Sequence, residues 1–90
     1  MPRRERWSLL AAILTSIGEE AERPGGGRIS VVAQRANVPH ERLTRHVREL
    51  EAAGLLVAGP DGFPRVTELG REFVAHHKDW MRKLERFGLD

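Results

Sequence analysis

The stretch from Asn37 to Val57, NVPHERLTRHVRELEAAGLLV, constrains the fold more than any other part of the chain. Pro39 opens an amphipathic helix at a position where its missing N–H is harmless. Gly54 ends that helix after about Ala53, and the apolar run Leu55-Leu56-Val57 follows directly. Leu43, Val47 and Leu50 mark its buried face. Arg42, Arg45 and Arg48 recur at three-residue spacing, and three residues take a helix through most of a turn, so they form one slowly rotating stripe. A row of guanidiniums backed by a core face suits a groove lined with phosphates.

The remaining elements follow from periodicity and punctuation. Trp7, Leu10, Leu14, Ile17 and Ala21, widened by Ile13, predict a first helix from about Arg4 to Glu22. Pro24-Gly25-Gly26-Gly27 ends it. Arg28-Ile29 is short and compatible with a minor strand. Ser30 is the expected N-cap of a short helix, Val31 to Ala36, and Asn37 its left-handed C-terminal residue. After the long helix, Leu55 to Ala58 and Phe63 to Val66 read as a hairpin around Gly59-Pro60-Asp61-Gly62. Pro64 places the returning strand at an edge. Thr67 caps a last helix, Glu68 to about Phe87, roughly 30 Å long.

Charge supports the emphasis on the arginine helix. The net charge is +2. Residues 1–27 balance four arginines against four glutamates, and 67–90 balance five bases against five acids. Asp61 and Arg65 cancel in 54–66, so the surplus lies in 28–53, where five arginines face three glutamates. With no cysteine there is no disulfide framework, thiolate metal site or cysteine nucleophile. MPRRERW runs into an amphipathic segment and is not expected to be a signal peptide. No apolar run approaches the ~20 residues of a membrane span. A soluble, cytoplasmic, nucleoid-associated protein is expected.

Helix, short helix, turn, helix, hairpin, helix is the order of a winged helix-turn-helix domain: mainly α with a small β-wing. The segment V-P-H-E-R-L-T-R-H-V-R-E-L-E-A-A-G-L-L-V resembles the recognition-helix and first-wing-strand signature of ArsR-like and MarR-like regulators. F-P-R-V-T-E-L-G-R-E-F resembles the wing exit and following helix of small archaeal winged-helix proteins that dimerise through a C-terminal helix. The resemblance implies a DNA-binding domain over residues 1–66 and a dimerisation helix over 67–90. It also implies that the helix from Pro39 enters the major groove of double-stranded DNA.

On that resemblance His40, Glu41, Arg42, Thr44, Arg45 and Arg48 point outward toward DNA. Arg42 and Arg45 suit either a guanine edge or phosphates, Thr44 a thymine methyl or a phosphate, and Arg48 the backbone. Glu41 either accepts from a cytosine amino group or disfavours indiscriminate binding. The competing expectation is a solvated face in which Arg45 pairs with Glu49 at i,i+4. His46 flanks the buried face and has a structural role. In the wing, Arg65 is the single cation and reaches the backbone or minor groove. Arg3, Arg4 and Arg6 form either a basic arm or a solvated tail.

Phe73, Trp80 and Phe87 are seven residues apart, and His77 and Leu84 complete a coiled-coil a/d pattern. With Trp7 they form the expected interface of a homodimer, with the alternative that the last helix folds back on the first. His76, His77 and Asp79 invite a metal site, but adjacent helical histidines point about 100° apart, so no metal is expected. Gly25-Gly26-Gly27 lacks the Lys and Ser/Thr of a phosphate loop, and no catalytic constellation is legible; neither an enzyme nor a cofactor is expected, and no small-molecule ligand is evident, with a small pocket at the dimer interface left open. The alternative function is a winged-helix protein-interaction module of the transcription machinery.

Overall fold

The computed structural model describes residues 2–89, with side chains from Arg6 onward. The side chains of Arg3 and Arg4, the first part of the proposed basic arm, lie outside the described residues. Four helices and a two-stranded antiparallel sheet follow one another as α1 (Pro2–Glu22), α2 (Ile29–Ala36), α3 (His40–Ala52), β1 (Leu56–Ala58), β2 (Pro64–Val66) and α4 (Glu68–Arg86). The fold is mainly helical, and its long axis measures 43 Å.

The core is built on α1. Leu10, Ile13, Leu14 and Ile17 meet Val32 of α2, Leu43 and Leu50 of α3, Leu56 of β1, and Val38 and Phe63 from the loops. Ile13, Ile17 and Leu43 are fully buried, each stabilising the fold by about 1.5–3 kcal/mol through the apolar surface removed from water. Trp7, expected on the same stripe, is 45% exposed.

Glu20 is also buried. Its Oε2 accepts the N–H groups of Gly27 and Arg28 at 3.0 Å each, and Oε1 accepts from Arg23 at 3.2 Å. These partners hold its carboxyl below the usual carboxylate value, the Arg28 amide most of all, against the opposing effect of desolvation. By pinning Arg28 in an extended conformation (φ −106°, ψ 116°), Glu20 starts α2 at Ile29. Ser30 is therefore inside the helix and not its N-cap, and Arg28 makes no strand.

The turn signals fall where expected. Asn37 is left-handed (φ 56°), with its N–H on Gln34 and that of Val38 on Ala33 at 2.9 Å, closing α2 in a Schellman motif. Gly54 (φ +81°) does the same for α3, with Leu55 N–H on the Leu50 carbonyl at 2.9 Å. The hairpin pairs Leu56 with Val66, Val57 with Arg65 and Ala58 with Pro64, so the proline does lie on an edge of this two-stranded sheet. Thr67 caps α4 by accepting the Gly70 N–H at 3.0 Å. The same hydroxyl donates to the Gly54 carbonyl at 2.7 Å, and the Thr67 N–H reaches the Leu55 carbonyl at 3.1 Å. The end of α3 and the start of α4 are thereby joined.

Helix α4 runs antiparallel to α1. Ser8 and His77 share a hydrogen bond at 3.1 Å near one end, and Gly18 faces Val66 near the other. Phe73 and Val74 pack on the core from α4.

Candidate nucleic-acid interface

Leu43 and Leu50 anchor α3 with Val47 packed beside them, and the opposite face of the helix turns outward. His40, Glu41, Arg42, Arg45 and Arg48 are exposed, while Thr44 is half-buried and donates its hydroxyl to the His40 carbonyl at 3.1 Å. Thr44 thus keeps its methyl and oxygen lone pairs for an outside contact. His46 is half-buried beside the core face, as its flanking position predicts.

Arg42, Arg45 and Arg48 make no ion pair among the described residues. The acid that sequence spacing offers to Arg45 is engaged elsewhere: Glu49 takes Arg6 from α1 on Oε2 and His46 Nδ1, at 3.3 Å, on Oε1. The Arg6 hydrogen bond, followed by that of His46, holds the Glu49 carboxyl below the usual carboxylate value. Glu49 is therefore neutralised from the α1 side, and the arginine stripe stays electrostatically open. Glu41 and Glu51 are exposed and make no ion pair among the described residues, so the face is basic with two acidic interruptions.

The first turn of α3 adds a feature that side-chain patterns do not reveal. Pro39, its N-cap, gives no side-chain acceptor, so the first-turn amides have no cap. Unsatisfied N–H groups at a helix start carry partial positive charge and can donate to an anion's oxygens. They lie beside His40 and Arg42, which strengthens the case for an anionic partner on this face.

The hairpin contributes less free charge than its composition suggests. The Arg65 guanidinium donates to Asp61 at 3.1 Å and to the Phe63 carbonyl at 3.1 Å, and it lies 5.9 Å from the Phe63 ring centre. Asp61 also accepts the Phe63 N–H, and this bond is the main reason its carboxyl titrates low. Arg65 thus closes its own turn. Arg6, counted with the N-terminal arm, lies 5.4 Å from the Trp7 ring centre and is tied to Glu49.

The six residues expected at a subunit seam fall into two sets. Phe73 packs on the core, His77 bonds Ser8 and Leu84 is buried, so these three face inward. Trp7, Trp80 and Phe87 remain outside at 45%, 55% and 65% exposure. Because Ser8 meets His77, Trp7 and Trp80 lie at the same end of the α1–α4 pair. A strict heptad places all five α4 residues on one stripe, whereas the straight helix drifts so that positions 73, 77 and 84 turn in and 80 and 87 lie on the flank.

No helix among the described residues is long and apolar enough to cross a membrane, and none of their His, Asp and Glu side chains cluster in threes able to hold a metal ion. The chain matches no model of a known protein family and no curated protein.

Proposed function

We propose that this chain is a dimeric double-stranded DNA-binding protein of the winged helix-turn-helix kind, acting as a transcriptional regulator or an architectural protein of the nucleoid. In this reading α2 and α3 are the helix-turn-helix, the β1–β2 hairpin is the wing, and the N-terminal half of α3 enters the major groove. Residues 1–66 form the DNA-binding domain. Residues 67–90 carry the dimerising helix, with Trp7, Trp80 and Phe87 meeting the partner and Phe73, His77 and Leu84 setting α4 behind them.

The observation that carries the reading is the uncompensated stripe Arg42–Arg45–Arg48, freed by the capture of Glu49 by Arg6 and His46. Three guanidiniums without partners on one exposed face repel one another through water and gain most from a polyanion. The uncapped amides at the start of α3 favour a phosphate at the same place.

A titration with generic duplex across salt concentrations tests this. Three phosphate contacts per protomer, about six per dimer, give a log–log slope near −5 and a loss of roughly a thousandfold between 50 and 200 mM salt. A slope near zero would instead favour a protein-interaction module of the transcription machinery.

A further inference from the structure

A groove of about 420 Å³ lies between α1, β2 and α4, with no residue of α3 in its lining. That is within the roughly 300–1,000 Å³ typical of small-molecule sites. Its floor is apolar, made by Leu14, Val66 and Val74 with Gly18 between them. We propose that this groove binds a small amphipathic carboxylate, with the apolar body on that floor and the carboxylate at Lys78 and Thr15.

Gly18 is the first observation. It lies in the middle of α1, where glycine is a poorer helix former than alanine. Neither its backbone nor its surroundings require it, since φ is not positive and an added Cβ meets only Val66 Cγ2 at an ordinary 3.7 Å. The missing side chain has one evident effect, which is to leave the floor of the groove open.

Charge is the second. At the end nearest the hairpin, Arg65 is paired with Asp61, Arg71 donates to the Val66 carbonyl at 3.2 Å, and Glu19 is paired with Arg35 at 3.1 Å. Glu22 also lines that end, which is therefore close to balanced. Lys78 lies two turns further along α4 from Arg71, on the same face. Among the described residues its ammonium has no ion pair, and it stands with Thr15, which also makes no side-chain hydrogen bond. These two residues line the adjoining hollow toward Ser8 and His77 as well, so they face each other across the α1–α4 gap. An apolar trough ending in a lone ammonium and a hydroxyl matches a ligand with an apolar tail and one anionic head.

The proposal is independent of DNA binding and of dimerisation. Its test is a titration of the full chain with octanoate and, separately, octanamide, followed by amide chemical shifts. Octanoate is expected to saturate in the millimolar range or below, with shifts centred on Gly18, Val66 and Val74, and octanamide to bind about tenfold more weakly. Lys78→Gln should erase the difference between the two compounds. Gly18→Ala should raise the thermal midpoint while weakening both. Failure to saturate by about 10 mM, equal binding of acid and amide, shifts centred on Trp80 and Phe87, or unaltered affinity in Gly18→Ala would each overturn it.

Discussion

The same substitution, glycine to alanine, should have opposite effects at two positions of this fold. At Gly70, in the first turn of α4, an added Cβ would lie 2.3 Å from the Leu55 carbonyl oxygen and 2.7 Å from Val66 Cγ1. The first contact is about 1.2 Å short of the separation at which heavy atoms attract best. The carbonyl cannot retreat freely, because it accepts the Thr67 N–H that fixes the start of α4. Overpacking of this kind costs about 1–3 kcal/mol. Alanine recovers at most about 1 kcal/mol of helix propensity, and less in a first turn. Gly70→Ala should therefore lose about 1–2 kcal/mol, a fall of roughly 5–15 °C in Tm for a domain of this size. Gly18→Ala meets no such obstacle and should gain about 1 kcal/mol, raising Tm by roughly 4–8 °C. Thermal and urea unfolding followed by far-UV circular dichroism measure both. A Gly70→Ala protein as stable as the wild type would refute the close packing of α4 on the Leu55 carbonyl.

Replacing Arg42 or Arg45 with Gln should weaken binding to generic duplex and lower the magnitude of the salt slope by about one each, whereas Arg65→Gln should leave the slope nearly unchanged because that guanidinium already closes the hairpin. Trp80→Ala with Phe87→Ala should shift sedimentation toward the monomer and leave the thermal midpoint of the monomer almost intact, since both rings are exposed; unchanged mass would count against the seam. Glu20 makes a pH prediction. Its folded-state carboxyl titrates below the ordinary value of 4.5, so the carboxylate stabilises the fold above about pH 4.5 and this contribution is lost as pH falls through the lower folded value. Glu20→Gln should accordingly be less stable than wild type at pH 7, and lose less stability between pH 5 and pH 3, as read by urea midpoints.

Local chemistry made most of the chain's punctuation readable. Asn37, Gly54 and Thr67 each act within a few residues, so their geometry follows from side-chain size or a single hydroxyl. The start of α2 did not follow, because its controlling group, Glu20, is in the preceding helix, and no local pattern marks a buried carboxylate. Ser30 satisfied the local rule for a cap and was overruled by that distant contact. The arginine stripe was legible from its spacing, but its freedom was not. Arg45 and Glu49 have the right separation to pair, but Glu49 is taken by Arg6, 43 positions before it, and by His46. The heptad on α4 was legible as periodicity alone. Which of its residues turn inward depends on α1, and a helix's own sequence says little about the angle at which a neighbour lies. Arg65 was legible as a cation but not as a closed one, since its partners are set by the hairpin's fold.

The Thr67 hydroxyl has a consequence for how motion passes through the molecule. One oxygen atom donates to the end of α3 and accepts from the first turn of α4, so both helices share a single pivot. A tilt of α4 that keeps both bonds therefore carries with it the Gly54 carbonyl, in the turn that ends α3. Serine would keep both bonds, whereas valine, with the same outline, would cut them together and leave the backbone N–H at this position on the Leu55 carbonyl as the remaining hydrogen bond of the corner.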